Sequence, residues 1–354
     1  MKVFLTGGTG FIGMYLAQAL LRRGWDVTAL VRSPDGPQAR LLASRGVRLL
    51  PGDVTERESL RPGMTGADLV IHNAAWYELG VDKAARERMR LINVHGADNA
   101  LSLALELGIP RTVHVSSCLY WGSSGPQPRG ETYQREYPYL SFYEQTKADA
   151  HELALGYLER GLPLILVCPA HVMGPNDHAA WGYFLRLYLN GIMPPLGWAP
   201  NSLNSGAHVA DIAEGIALAT EKGRLGETYL LAGDTLRTRE VLDLWITRPG
   251  GFRVLGYMPV WLARLMFAPT ELLLRMAGMP AFLSREVAAG GGMHWAYSSA
   301  KAQRELGWTY RPSRPMWESI LDDELRLLAE RQKCDLRSRL MPLETAGLLA
   351  AAGD

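Results

Sequence analysis

The sequence predicts an α/β protein built on a doubly wound parallel sheet, followed by a smaller, mainly helical region. Three observations carry that prediction. Short β-branched runs alternate with helical patterns through the first half. A glycine-rich turn, TGGTGFIG at 6–13, follows the first of those runs directly. The alternation leaves no room for hairpins, so successive strands run parallel and helices cover both faces. Right-handed crossovers then wind the sheet in both directions.

The elements follow in order. KVFLT (2–6) is a compact apolar strand, and MYLAQALLRRG (14–24) is a helix with Gly24 as its C-cap. DVTALV (26–31), VRLLPGD (47–53), DLVIHNAA (68–75), TVHVSS (112–117) and LPLILVC (162–168) continue the strand series. Beyond Pro169 the pattern loosens. Residues 173–207 are rich in Gly, Pro, Asn and Trp and read as loops around one helix, WGYFLRLYLNG (181–191). HVADIAEGIALATE (208–221) is a helix and ETYLLAG (227–233) a further strand. The expected organisation is therefore a sheet domain over 1–172, completed by 208–233. A substrate-binding region spans 173–207 and 234–312, and a C-terminal helix and tail span 313–354.

Bulk properties narrow the function classes. With 47% hydrophobic and 21% charged residues the 354-residue chain has ordinary globular composition. A net charge of +1 gives no reason to expect a nucleic-acid partner. Cys118, Cys168 and Cys334 have no short paired spacing, which argues against a metal site or a disulfide framework and fits a reducing compartment. MKVFLTGG already reads as the first strand rather than a leader, so a cytoplasmic location is expected. The most apolar stretch, 257–283, is broken by Arg264, Glu271, Arg275 and three prolines. No stable membrane insertion is expected of it. It reads as two short amphipathic helices packed on the core, with contact to a membrane surface or a lipophilic substrate as the alternative.

The glycine turn points to a dinucleotide. Gly7 permits the tight turn, Gly10 lets backbone approach a pyrophosphate, and Gly13 lets helix and strand pack closely. Thr9, Phe11 and Ile12 lie between these glycines, at a helix N-terminus that offers unpaired N–H groups and a positive dipole end to phosphates. After the second strand an acid would bind the 2′-hydroxyl of NAD, but VTALVRSPDG carries Arg32 and Ser33 there. An arginine pairs with a 2′-phosphate, so NADP is the expected cofactor, with NAD possible. The alternative is that Arg32 stacks on the adenine or is solvated. Asp53 in GDVT, with Val54 beside it, is placed to meet the adenine edge. Asn73, Ala74 and Ala75 would line the cofactor between the ribose sites.

TGGTGFIG, GDVT, HNAA, INVHGADNAL (92–101), VSS and a Tyr143-x-x-x-Lys147 pair occur in the order and spacing of one family. The chain resembles the extended short-chain dehydrogenases/reductases, also called the NAD-dependent epimerase/dehydratase family, and within it dihydroflavonol-4-reductase-like and hydroxysteroid dehydrogenase-like proteins. CPAHVMGP (168–175), HVADIA and AKAQRELGW (300–308) are similar to its later landmarks. The resemblance runs from residue 1 to about 312 and implies a Rossmann fold and hydride transfer between a nicotinamide and a carbonyl or secondary alcohol.

That chemistry accounts for the residue types. A proton must move at the substrate oxygen as hydride moves at carbon. Tyrosine supplies a rigidly held hydroxyl, and a nearby cation would favour phenolate and lower its pKa from about 10 toward neutral. Lys147 lies one helical turn from Tyr143, on the same face. Only six of the 37 basic residues are lysines. A compact ammonium can serve both the phenol and the ribose hydroxyls, which a broad guanidinium would not easily do.

The resemblance further implies that Ser117 polarises the substrate oxygen, with Ser116 as the alternative candidate. It implies that Asn93 supports the helix or a water leading to Lys147, and that Pro169 and Val172 lie under the nicotinamide. The family's dehydratases carry an acidic pair after the serine or threonine, where this chain has Cys118 and Leu119. Trp76, Tyr77, Tyr120, His171 and Trp181 make an aromatic, mostly uncharged substrate pocket, suited to a small lipophilic or aromatic carbonyl compound. Three readings follow: an NADP(H)-dependent reductase, an NAD-dependent sugar-nucleotide epimerase, and a non-catalytic dinucleotide-sensing protein. Family members often dimerise through the helices that flank the active site, so a homodimer is expected.

Overall fold

The computed structural model describes residues 1–342 apart from 249, 251, 252 and 332. The part of the expected tail from 343 to 354 lies outside the described residues. The first half runs β1 (Lys2–Thr6), α1 (Phe11–Arg22), β2 (Asp26–Val31), α2 (Pro37–Ser44), β3 (Arg48–Pro51), α3 (Arg57–Met64), β4 (Leu69–His72), α4 (Lys83–Arg90), α5 (Gly96–Glu106), β5 (Thr112–Val115), α6 (Phe142–Glu159) and β6 (Leu164–Pro169). Then come β7 (His171–Met173), α7 (Ala180–Leu189), β8 (Leu196–Trp198), β9 (Leu203–His208), α8 (Val209–Lys222), β10 (Thr228–Leu231), β11 (Thr235–Arg237), α9 (Thr238–Trp245) and β12 (Gly256–Met258). The chain continues with α10 (Val260–Met276), α11 (Arg285–Gly291), α12 (Ala300–Leu306), α13 (Ser313–Glu330) and α14 (Leu336–Leu340).

Seven strands form the central sheet in the order β10-β6-β5-β4-β1-β2-β3, every pair parallel. The order reverses direction at β1, so the sheet is doubly wound and its C-terminal edge opens a crevice between β1 and β4. One face packs on α1, α8 and α12 through residues such as Leu5, Leu16, Val113, Ile212 and Leu306. The other packs on α3, α5 and α6 through Phe4, Leu60, Val70, Leu101 and Leu166. Residues buried on both faces explain why these strands read as continuous apolar runs rather than alternating ones.

The structure departs from the sequence reading in the second half. Two small sheets appear there, β11-β9-β7 and β12-β8. Their strands span three to six residues and lack a long alternating pattern, so periodicity does not reveal them. The stretch expected to form two short helices is mostly one, α10, which runs through Pro269. It contributes a single fully buried residue, Ala263, so core packing is not its main role.

The helical region is tied down by a buried ion pair. Arg186 of α7 and Glu324 of α13 are 2% and 1% exposed, with Nη1 to Oε1 at 3.3 Å. Arg186 also donates to the carbonyls of Leu340 at 2.6 Å and Asp177 at 2.7 Å. Glu324 accepts from the backbone N–H of Asn176 at 2.6 Å. Removing the carboxylate strands a buried guanidinium. Glu324→Ala is therefore expected to lower stability by about 3–5 kcal/mol, read as a shifted midpoint in urea unfolding. An unchanged midpoint would refute the structural role given to the pair.

Candidate active site

At the C-terminal edge of the sheet lies one continuous cavity of about 930 Å³. Its first half is built around the glycine turn. Gly7 has φ +70° and lies against the next strand's exit, so that a Cβ there would be 2.7 Å from the Ala74 nitrogen. A Cβ on Gly13 would collide with the Gly7 carbonyl oxygen. Gly13 thus sets the helix-to-strand distance and does not itself line the cavity, whereas Gly7, Thr9, Gly10, Phe11 and Ile12 do. No side chain caps α1 at Gly10. Its first N–H groups therefore remain available to an anionic ligand.

Around this turn the cavity wall includes Arg32, Asp53, Val54, Asn73, Ala74 and Ala75. Arg32 is exposed and makes no ion pair among the described residues. Thr55 donates to one oxygen of Asp53 from both its backbone nitrogen and its hydroxyl, each at 2.9 Å, which fixes the carboxylate. Asn73 donates to the Gly7 carbonyl at 3.3 Å. A close backbone approach and open helix amides fit a dinucleotide, with a basic side chain standing after β2.

The second half is organised by α6. Ser141 caps the helix by accepting from the Glu144 nitrogen at 3.1 Å. Buried Glu144 pairs with Arg135 at 2.7 Å and accepts from the Leu140 nitrogen at 2.8 Å. Arg135 in turn donates to the carbonyls of Leu119 and, at 3.1 Å, Tyr120. One guanidinium thereby joins the segment after β5, which carries Ser117, to the helical turn that carries Tyr143. Tyr143 and Lys147 both line the cavity, as do Ser117, Pro169 and Val172.

Each polar group here has a distinct partner. Ser117 Oγ accepts from the Leu119 nitrogen at 3.2 Å. The Ser116 hydroxyl is instead buried against His151 Nδ1 at 2.8 Å. Asn93 sits in a π-helical turn, Leu91–His95. Its side chain accepts from the Trp76 nitrogen at 2.7 Å and donates to the Trp76 carbonyl at 3.1 Å and to Thr146 Oγ1 at 3.0 Å. Asn93 thus ties the wall after β4 to α6 through the neighbour of Lys147, rather than through Lys147 itself.

The electrostatics differ from the simplest expectation. Burial, and then the neighbouring Cys118, push the Tyr143 phenol above its ordinary value. Burial lowers Lys147 to about 8. Its ammonium donates to the Val115 carbonyl at 3.1 Å. Desolvation is thus the dominant influence on both groups, raising the phenol and lowering the ammonium.

Trp76, Tyr77, His171 and Trp181 line the cavity. The Tyr77 ring meets the Tyr143 ring edge-on, centroids 4.9 Å apart at 85°. Burial lowers His171 to about 4, so its imidazole is neutral. Tyr120 is a correction: it does not line the cavity. Its ring stacks on His151 at 3.7 Å and its hydroxyl donates to Glu152 at 2.7 Å, on the outward side of α6. The short 3₁₀ turn Cys118–Tyr120 rotates it away from the site. Sequence reasoning missed Phe184, Trp198, Met266, Phe267 and Trp295, which complete the apolar wall. They come from four separate segments beyond residue 180, and no local motif marks them.

Comparison with known proteins agrees with this geometry. Residues 3–232 match the model of the NAD-dependent epimerase/dehydratase family. A ketoreductase of 4-hydroxy-2-methyl-3-oxo-4-farnesyl-3,4-dihydroquinoline-1-oxide from Stigmatella aurantiaca is 32% identical over 326 residues, covering 88% of this chain and 92% of the relative. A putative dihydroflavonol 4-reductase from Synechocystis is 30% identical over 312 residues, covering 86% and 89%. Among solved structures, the dTDP-glucose 4,6-dehydratase of Streptomyces venezuelae with NAD and TYD bound superposes with a TM-score of 0.74. It is 22% identical and covers 93% of this chain and 98% of its own, a likeness of fold.

Proposed function

The chain belongs to the NAD-dependent epimerase/dehydratase family and is an NAD(P)-dependent oxidoreductase, and we propose that it is an NADP(H)-dependent reductase of a small lipophilic or aromatic ketone. The observation that carries this reading is the pairing of Arg32, exposed at the cofactor half, with an apolar aromatic wall beyond Tyr143. A 2′-phosphate supplies the anion that a guanidinium binds bidentately, whereas a bare diol leaves it unmatched. A wall of Tyr77, Trp181, Trp198 and Phe267 offers little to a sugar diphosphate and much to a carbon skeleton. The named activity of the Stigmatella relative, a ketoreductase of a farnesylated quinoline oxide, supports the same substrate class.

The nicotinamide supplies a hydride when bound, and every other element of the reaction belongs to the chain. Ser117 donates its hydroxyl proton in a hydrogen bond to the substrate oxygen and orients it. Tyr143, kept protonated by burial, gives its phenolic proton to that oxygen as negative charge develops there. The Lys147 ammonium stabilises the phenolate that remains and offers a donor to the ribose of the cofactor. Asn93 acts by position, holding Trp76 and Thr146. Dehydration would need an acid beyond Ser117, where Cys118 is buried and its thiol is pushed up to about 12 by burial.

Homodimerisation is proposed through the helices beside the site, α4 and α5 with α6, and sedimentation at micromolar concentration should give twice the 39.1 kDa chain mass. A single-chain mass across that range would rule it out. Three unpaired cysteines fit a cytoplasmic setting.

Two kinetic outcomes test the reductase reading. A ketone panel assayed with both cofactors should show turnover with NADPH well above that with NADH. Arg32→Asp should then cost about 1–3 kcal/mol of NADPH binding while leaving NADH little changed. A clear NADH preference in the unaltered protein would sink the role of Arg32.

Tyr143→Phe should lower the reduction rate by about 10²–10⁴-fold at unchanged fold. Because Lys147 titrates near 8, reduction should hold level below that pH and fall as pH rises through it. Lys147→Arg keeps its charge across this range and should remove that alkaline limb. An unchanged limb in the arginine variant would show that another group controls it.

A further inference from the structure

The most exposed apolar surface in the described structure lies along α10. Trp261, Leu265, Leu272 and Met276 recur at helical spacing on one face and are 66%, 65%, 60% and 76% exposed. Leu273 is 64% exposed beside them. Large apolar side chains grouped this way on a single helix mark an interaction site rather than scattered surface. The opposite side of the helix faces inward: Ala263 is buried, and Phe267 and Thr270 line the cavity. Met266 belongs to both worlds, 48% exposed yet part of the cavity wall. The outer stripe is therefore one side chain away from the substrate half of the site.

The charged side chains around the stripe that make no ion pair among the described residues are basic. Arg264 lies on α10 itself, exposed and without an ion pair among the described residues. Arg285 is exposed at the start of α11 with its side chain likewise unpaired. Arg337 of α14 reaches the end of α10, donating to the Gly278 carbonyl at 3.1 Å. The nearby acid, Glu271, is already bound to Arg275 at 3.0 Å. An apolar helical stripe edged by unpaired arginines complements a surface that is apolar within and anionic at its rim. A second copy of the chain fits less well. A two-fold contact would set this same rim against itself, arginine against arginine. No described helix is long and apolar enough to cross a membrane, so the contact is one of lying on a surface.

We propose that α10 docks this protein on the surface of an anionic lipid bilayer, with Trp261, Leu265, Leu272 and Met276 in the interface and the cavity mouth beside them. Docking rests on the surface alone. Its sense as a route for substrate rests on the lipophilic-ketone reading above, and the experiment reads binding without substrate so that the two can fail separately.

The full chain is sedimented with vesicles of phosphatidylcholine alone and of phosphatidylcholine with phosphatidylglycerol. The expected result is co-sedimentation with the anionic vesicles, weakened by salt and markedly lower with phosphatidylcholine alone. The double variant Leu265→Glu, Leu272→Glu should lose about tenfold or more in partitioning. Arg264→Ser, which leaves the stripe intact, should weaken binding to the anionic vesicles more than to the neutral ones. Both changes lie on the solvent side and should leave the thermal midpoint and NADPH turnover unaltered. Absence of binding to either vesicle overturns the proposal. So does binding that the double variant leaves unchanged, or self-association abolished by that variant in a protein that ignores vesicles.

Discussion

The geometry of the candidate site depends on how the first turn of α6 is held. In the proposed reaction Tyr143 and Ser117 meet one substrate oxygen, which requires the backbone of Tyr143 to be fixed relative to the segment that carries Ser117. That segment and the helix come from opposite sides of a loop of more than twenty residues. Glu144 and Arg135 close the gap: the carboxylate is buried beside Tyr143, and the guanidinium grips the carbonyls that follow Ser117. A paired, hydrogen-bonded charge of this kind gives orientation more reliably than net stability. Lys147, one turn on, then finds the Val115 carbonyl at the end of β5 and anchors the helix to the sheet edge. The placement of Ser117, Tyr143 and Lys147 is a by-product of two anchor points that fix one helix on one strand.

Beneath that helix the sheet presents an unusual polar layer. His72 of β4 and His114 of β5 stack with centroids 5.5 Å apart and planes at 8°. His151 of α6 is bonded to Ser116 nearby. Burial, with Lys147 adding to it, pushes all three imidazoles down, His72 and His151 to about 3. They are therefore neutral at any working pH, and the charge under the active site is that of Lys147. A protonated ring there would repel the Lys147 ammonium. The same desolvation that keeps these rings neutral also raises the Tyr143 phenol above its ordinary value.

How much of this could be read from the chain depended on whether a contact was local. The cofactor half is built within single turns. Gly13 is constrained by backbone five and six residues away and Gly7 by the strand next door, so their spacing, set between a strand and a helix, points to the fold. Tyr143 and Lys147 are visible for the same reason, one turn apart on a helix. Asn93 was legible as a helper but not in its bonds, because its partners Trp76 and Thr146 lie 17 and 53 residues away. Tyr120 was misplaced because nothing in CLYWG fixes which way a three-residue 3₁₀ turn faces its aromatics. The side chains that complete the apolar wall were invisible. They are ordinary apolar residues until the small sheets and α10 bring them to one cavity.

The two halves of the site are also built to different tolerances. On the cofactor side, backbone meets backbone, and a single methyl group at Gly13 would collide with Gly7. On the substrate side the wall stands on α10, which buries Ala263 fully and leaves most of its other side chains partly or wholly exposed. Changing a residue such as Met266 or Phe267 there disturbs few neighbours, whereas changing the glycine turn disturbs the sheet itself. A fold divided this way can keep one hydride chemistry while its substrate wall drifts, which explains why this architecture also superposes on a sugar-nucleotide dehydratase. It also explains why α10 can carry an apolar outer stripe without destabilising the protein: the stripe is supported from within by the cavity wall, not by the core of the sheet.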